Sequence, residues 1–137
     1  MKLPVILRGV GLGLAALALT VAIAFAWVWV YSIGVAPGHD AAFYQAYAER
    51  VAPICAIVAG VPILYAGGWL AARGTGTRWQ LPALLPAITY VAIDAALLAA
   101  LAAGQRPAAA LLLLSWGSKL AAAWLGGRRQ RPPDCAQ

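Results

Sequence analysis

Asparagine is absent from this 137-residue chain, histidine occurs once, cysteine twice, and aspartate and glutamate together only four times. Each scarcity removes a class of function. Without asparagine there is no N-glycosylation acceptor. A lone His39, with Cys55 and Cys135 far apart and in no CxxC spacing, excludes a structural zinc site and a thioredoxin-like redox pair. No carboxylates are paired, no second histidine exists, and no nucleophile stands beside a base. An intramembrane enzyme acting on lipid or quinone is therefore the weakest functional class, and neither a cofactor nor a metal is expected. Charged residues make up 10% of the chain and hydrophobic ones 64%, too little polarity to coat a soluble domain.

What remains is apolar sequence in four blocks, Val10–Tyr31, Val51–Ala72, Leu81–Ala103 and Pro107–Leu125. Each is about 19–23 residues, the length at which a helix crosses a ~30 Å hydrocarbon layer. The expected fold is an all-α integral membrane protein, a four-transmembrane-helix antiparallel bundle over residues 1–127. Residues 128–137 form a basic tail, expected to be cytoplasmic and disordered. The net charge of +6 would suggest nucleic acid on a soluble protein. Here the basic residues flank the spans, so the partner is the lipid bilayer, with a homo-oligomer or a membrane protein partner beyond it.

Orientation follows from those flanks. Lys2, Arg8, Arg73, Arg78, Arg128, Arg129 and Arg131 fall on one side, and only Arg50 and Arg106 on the other. The rule that basic short loops stay inside places both termini in the cytoplasm of a bacterial inner membrane. The abundance of alanine and arginine agrees with a GC-rich bacterial genome. Cys55 and Cys135 then lie on opposite sides of the midplane and cannot pair. Trp27, Trp29 and Tyr31 at the outer end, with Trp69, Trp79 and Trp124 at the inner ends, read as interfacial belts. Lys2, Arg8 and the Ala22-Ile23-Ala24 segment also resemble a signal peptide, but the apolar run continues through Tyr31, past the usual core length; an uncleaved anchor is expected.

Along the chain, Gly9, Gly13, Ala18, Ala22 and Ala26 are expected on one packing face of the first span. In the outer loop Ile33–Arg50, Pro37-Gly38 breaks the chain and Asp40 caps a short interfacial helix through Arg50. Its candidate ligands or acid–base groups are His39, Asp40 and Glu49. Pro53 and Pro62 interrupt the second span, and Pro82 and Pro86 open the third. Free Cys55 is read as a small buried hydrophobe.

Asp94 and Lys119 are the two charges inside spans, where an ionisable group marks either a pair or a working site. Counting helical rise from the outer turn puts them ~15 Å and ~20 Å deep. Tyr90 shares a face with Asp94, Ser115 with Lys119, Ser118 lies beside them, and Tyr65 falls at similar depth on the second span. A network of Tyr65, Tyr90, Asp94, Ser115, Ser118 and Lys119 is the candidate functional constellation. Two functions follow from it. The first is a non-catalytic accessory or assembly component whose polar network locks the bundle. The second is a small oligomeric transporter or channel that moves a proton, ion or solute past Asp94 and Lys119.

Overall fold

A computed structural model describes residues 3–100 and 109–130. Its regular elements are four α-helices and one 3-10 turn, with no strand among the described residues: α1 (Leu3–Gly34), α2 (Ala41–Ala72), the 3-10 turn Gly76–Arg78, α3 (Gln80–Ala100) and α4 (Ala109–Arg128). All four helices are long and apolar enough to cross a membrane. At 21 and 20 residues, α3 and α4 are about 30 Å long, matching the hydrocarbon thickness. The 32-residue α1 and α2 reach ~48 Å and must project past it. The turn expected at residues 104–106, and the tail beyond Gln130 with Cys135, lie outside the described residues.

α1 starts at Leu3 rather than at the apolar onset near Val10. Pro4 falls in the first turn, where its missing N–H costs nothing. Asp40 caps α2 as expected, its Oδ1 accepting from the Phe43 amide at 3.0 Å. The separate interfacial helix does not form, because α2 runs unbroken from Ala41 through Pro53 and Pro62 to Ala72. The physical reason lies in what Pro53 removes. It takes away one hydrogen bond, to the carbonyl of Glu49, and that level is exposed, so water can take the carbonyl instead.

α1 packs on α2 and α3, α4 packs on the same two, and α2 touches α3 between them. Contact order runs in opposite senses along α1 and α2, where Arg8 meets Arg73 and Trp27 meets Tyr47. The same holds for α3 and α4, where Tyr90 meets Lys119 and Ala83 meets Gly127. Glycines set the closest approaches. A Cβ on Gly68 would strike the Ala123 carbonyl, and one on Gly126 the Tyr65 carbonyl, so α2 and α4 lie backbone to backbone.

On α1 the buried residues are Gly9, Gly13, Ala16 and Thr20, whereas Ala18, Ala22 and Ala26 are exposed. The expected five-member face fails because Gly13 to Ala18 is a five-residue step, which rotates the stripe by about 140°. Trp79 is likewise no belt residue. It is 5% exposed, packed with Ala72 and Ala83 and tilted against Trp124 at 5.9 Å between centroids. Trp69 and Trp124 keep partly exposed rings.

Candidate functional site: the central polar layer

Lys119 is completely enclosed, at 0% exposure, near the middle of α4. Around it stand Ser115 of its own helix, Tyr90 of α3 and Gly60 of α2. Its Nζ donates to Ser115 Oγ at 2.9 Å and sits 4.2 Å from the centroid of the Tyr90 ring. Its Cε fills the space left by Gly60, where an added Cβ would come within 2.7 Å. Tyr90 is 2% exposed, and its hydroxyl end lies near the side chain of Thr20 on α1. The Thr20 hydroxyl donates to the Ala16 carbonyl of its own helix at 2.8 Å. Polar side chains of α1, α3 and α4 thus gather at one level of the fold. Every buried side-chain polar atom among the described residues has a partner.

The layer is central. Tyr90 lies ten residues from each end of α3, about 15 Å along the helix in both directions. The buried residues of α1, α2 and α3 lie at this layer or toward the arginine-rich end: Gly9 to Thr20, Gly60 to Ala72 and Pro82 to Tyr90. On α4 only Ser115 lies beyond it. Past the layer the described helices are joined in pairs. Tyr31 and Tyr47 stack at 3.8 Å and Trp27 Nε1 donates to the Tyr47 hydroxyl at 3.1 Å, tying α1 to α2. Trp116 Nε1 donates to Asp94 Oδ2 at 2.8 Å, tying α3 to α4.

The expected constellation is therefore only partly assembled. Tyr90, Ser115 and Lys119 come together. Ser118 makes a local bond to the Ser115 carbonyl at 3.0 Å. Asp94 is half-buried and held by Trp116, and no ion pair joins it to Lys119 among the described residues. Tyr65 sits elsewhere. Its ring lies under Arg129, 5.7 Å from Cζ, at the arginine-rich end. The face shared by Pro62, Tyr65 and Trp69 is turned outward, with Pro62 and Trp69 exposed.

The loop-end candidates do not converge either. Asp40 is committed to the helix cap. Glu49 accepts from Gln45 at 3.5 Å, nine residues and about 13 Å farther along α2. His39 stacks on Phe43 at 4.1 Å and edges against Tyr44. No group of three potential metal ligands occurs among the described residues. Cys55 is a free, half-buried thiol.

Two participants were missed in the sequence, Thr20 and Trp116. Thr20 was the findable one, as the only hydroxyl deep in the first span and in step with Gly9, Gly13 and Ala16. Chemically, the layer holds the Lys119 amine between a hydroxyl and a ring face, with no carboxylate within hydrogen-bond reach among the described residues. Comparison with known protein families, with curated proteins and with solved structures finds no match. By helix length and composition the fold is that of a multi-pass membrane protein.

Proposed function

We propose that the chain is a non-catalytic accessory or assembly component of a bacterial inner membrane. In this reading it forms a four-helix antiparallel bundle with both termini cytoplasmic, and its working surfaces are helix faces. The observation that carries the proposal is the enclosure of Lys119. A fully buried amine satisfied by Ser115 and Tyr90, with Gly60 shaped around its stem, is what a structural fastener requires. A conducting residue would instead have to meet water or solute during its cycle. Reconstitution into proteoliposomes tests this. The proposal expects no proton or alkali-cation flux above empty vesicles, and measurable flux that disappears in Lys119→Met would defeat it.

A second reading is favoured by one observation. Asp94 is half-buried in the less tightly packed half and its described hydrogen bond comes from a single indole. As part of a small oligomeric transporter or channel, Asp94 would be the titrating group, and Asp94→Asn would abolish flux while leaving insertion intact.

A further inference from the structure

Four arginines reach one end of the fold from three helices: Arg8 on α1, Arg73 just past α2, and Arg128 and Arg129 at the end of α4. Arg8 Nη2 donates to the Arg73 carbonyl at 3.2 Å, which fixes these two side by side. The other three are parked on aromatic rings. Arg73 lies 5.0 Å above Trp69, Arg128 lies 5.6 Å from Trp124, and Arg129 lies 5.7 Å from Tyr65. Tyr65 and Trp69 are one turn apart on α2, so Arg129 and Arg73 are presented along the same face by two different helices. The backbone contact at Gly126 makes this possible by bringing the end of α4 alongside Tyr65 and Trp69.

No acidic residue of the described chain shares this end. Asp40 and Glu49 belong to the opposite end of α2, and Asp94 lies beyond the central layer; Asp134 falls outside the described residues. A guanidinium held over an aromatic ring keeps its N–H donors for other partners, and its planar fork can grip a phosphate through two bonds at once. The supporting rings are partly exposed, Trp69 at 36% and Trp124 at 38%, and offer an apolar wall where acyl chains begin.

We propose that the Arg73–Arg129 face, flanked by Arg8 and Arg128, binds the phosphate of an anionic phospholipid in the cytoplasmic leaflet. This rests on the membrane embedding and orientation proposed above. The test uses the full chain, reconstituted in vesicles of equal parts phosphatidylglycerol and phosphatidylcholine. It is then re-extracted in a neutral detergent, and retained lipid is quantified by mass spectrometry. Wild type should retain phosphatidylglycerol preferentially. The double variant Arg73→Gln/Arg129→Gln should lose about tenfold of it, as expected when two charge-assisted contacts go. Arg78→Gln, in the neighbouring 3-10 turn, should retain it. Arg73→Lys/Arg129→Lys should also lose most of it, because lysine keeps the charge and loses the planar edge.

Full retention by the lysine variant would overturn the proposal in favour of diffuse attraction. Equal retention by the glutamine variant would overturn it outright. Displacement of the lipid by millimolar inorganic phosphate would reassign the face to a free anion. Failure of the embedding itself has a different signature, since wild type would then retain neither lipid.

Discussion

Lys119 stands over the face of Tyr90, 4.2 Å from the ring centroid, while the Tyr90 hydroxyl end lies near Thr20 on another helix. One side chain thus meets two neighbours with two different parts. Tyr90→Phe keeps the ring beneath Lys119 and removes only the hydroxyl, so it should cost about 1 kcal/mol. Tyr90→Leu withdraws the ring as well and leaves a buried amine beside a void, at a cost of about 3 kcal/mol or more. Unfolding titrations in mixed detergent micelles read both. Equal losses would mean the ring contributes nothing to holding the lysine.

The glycines supply a graded series. At Gly68 and Gly126 an added Cβ meets backbone carbonyls of the facing helix, which cannot step aside. Gly68→Ala and Gly126→Ala should each destabilise by about 2–3 kcal/mol, the range for overpacking. Gly60→Ala meets the end of a flexible lysine and should cost less, about 1 kcal/mol. Gly11 and Gly117 face open space, so their alanine variants should stay within about 0.5 kcal/mol of wild type. Thermal denaturation in one detergent checks the order, and a loss at Gly117 matching that at Gly68 would contradict the packing.

A double-mutant cycle separates the two pairings available to Asp94. With Trp116 as its bonded partner, Asp94→Asn and Trp116→Phe should couple by about 1–2 kcal/mol, as a hydrogen bond to a carboxylate does. Asp94→Asn and Lys119→Met should couple more weakly. The reverse order would restore the ion pair that depth alone suggests.

That difference shows which parts of the structure were legible beforehand. Helical rise fixed levels well. Asp94, Tyr90 and Lys119 do lie at neighbouring depths, but of the face expected to hold both Tyr90 and Asp94 only Tyr90 is buried and Asp94 is half-buried. Rise says nothing about which way a helix is turned against its neighbours. Tyr65 therefore pointed to the core on paper and lies under Arg129 at the arginine-rich end in the fold. Thr20 was hidden because the alanines after Gly13 suggested a false stripe. The merger of the segment before Val51 with α2 was obscured because its polar residues end at Arg50, and hydropathy does not show whether a helix continues across such a change.

The half of the fold away from the arginine-rich end should also be the more mobile one. Asp40→Ala removes the α2 cap and should cost about 1 kcal/mol, released locally by fraying. Hydrogen exchange should speed up over Ala41–Arg50 and stay unchanged over Gly60–Ala72. Uniform acceleration along α2 would show that the helix opens as one unit and that the tightly packed half has no separate stability.

The sequence contains two lysines, Lys2 and Lys119, which makes the sealing of the central layer directly measurable. A membrane-permeant amine reagent applied to the folded protein in vesicles, with peptide mass spectrometry as readout, reports each separately. The enclosure of Lys119 by Ser115, Tyr90 and Gly60 predicts no modification at Lys119 until the bundle is denatured, with the rate at Lys2 as the reference. Modification of Lys119 at a rate approaching that of Lys2 would mean the layer opens to solvent, and the structural-fastener account would fail.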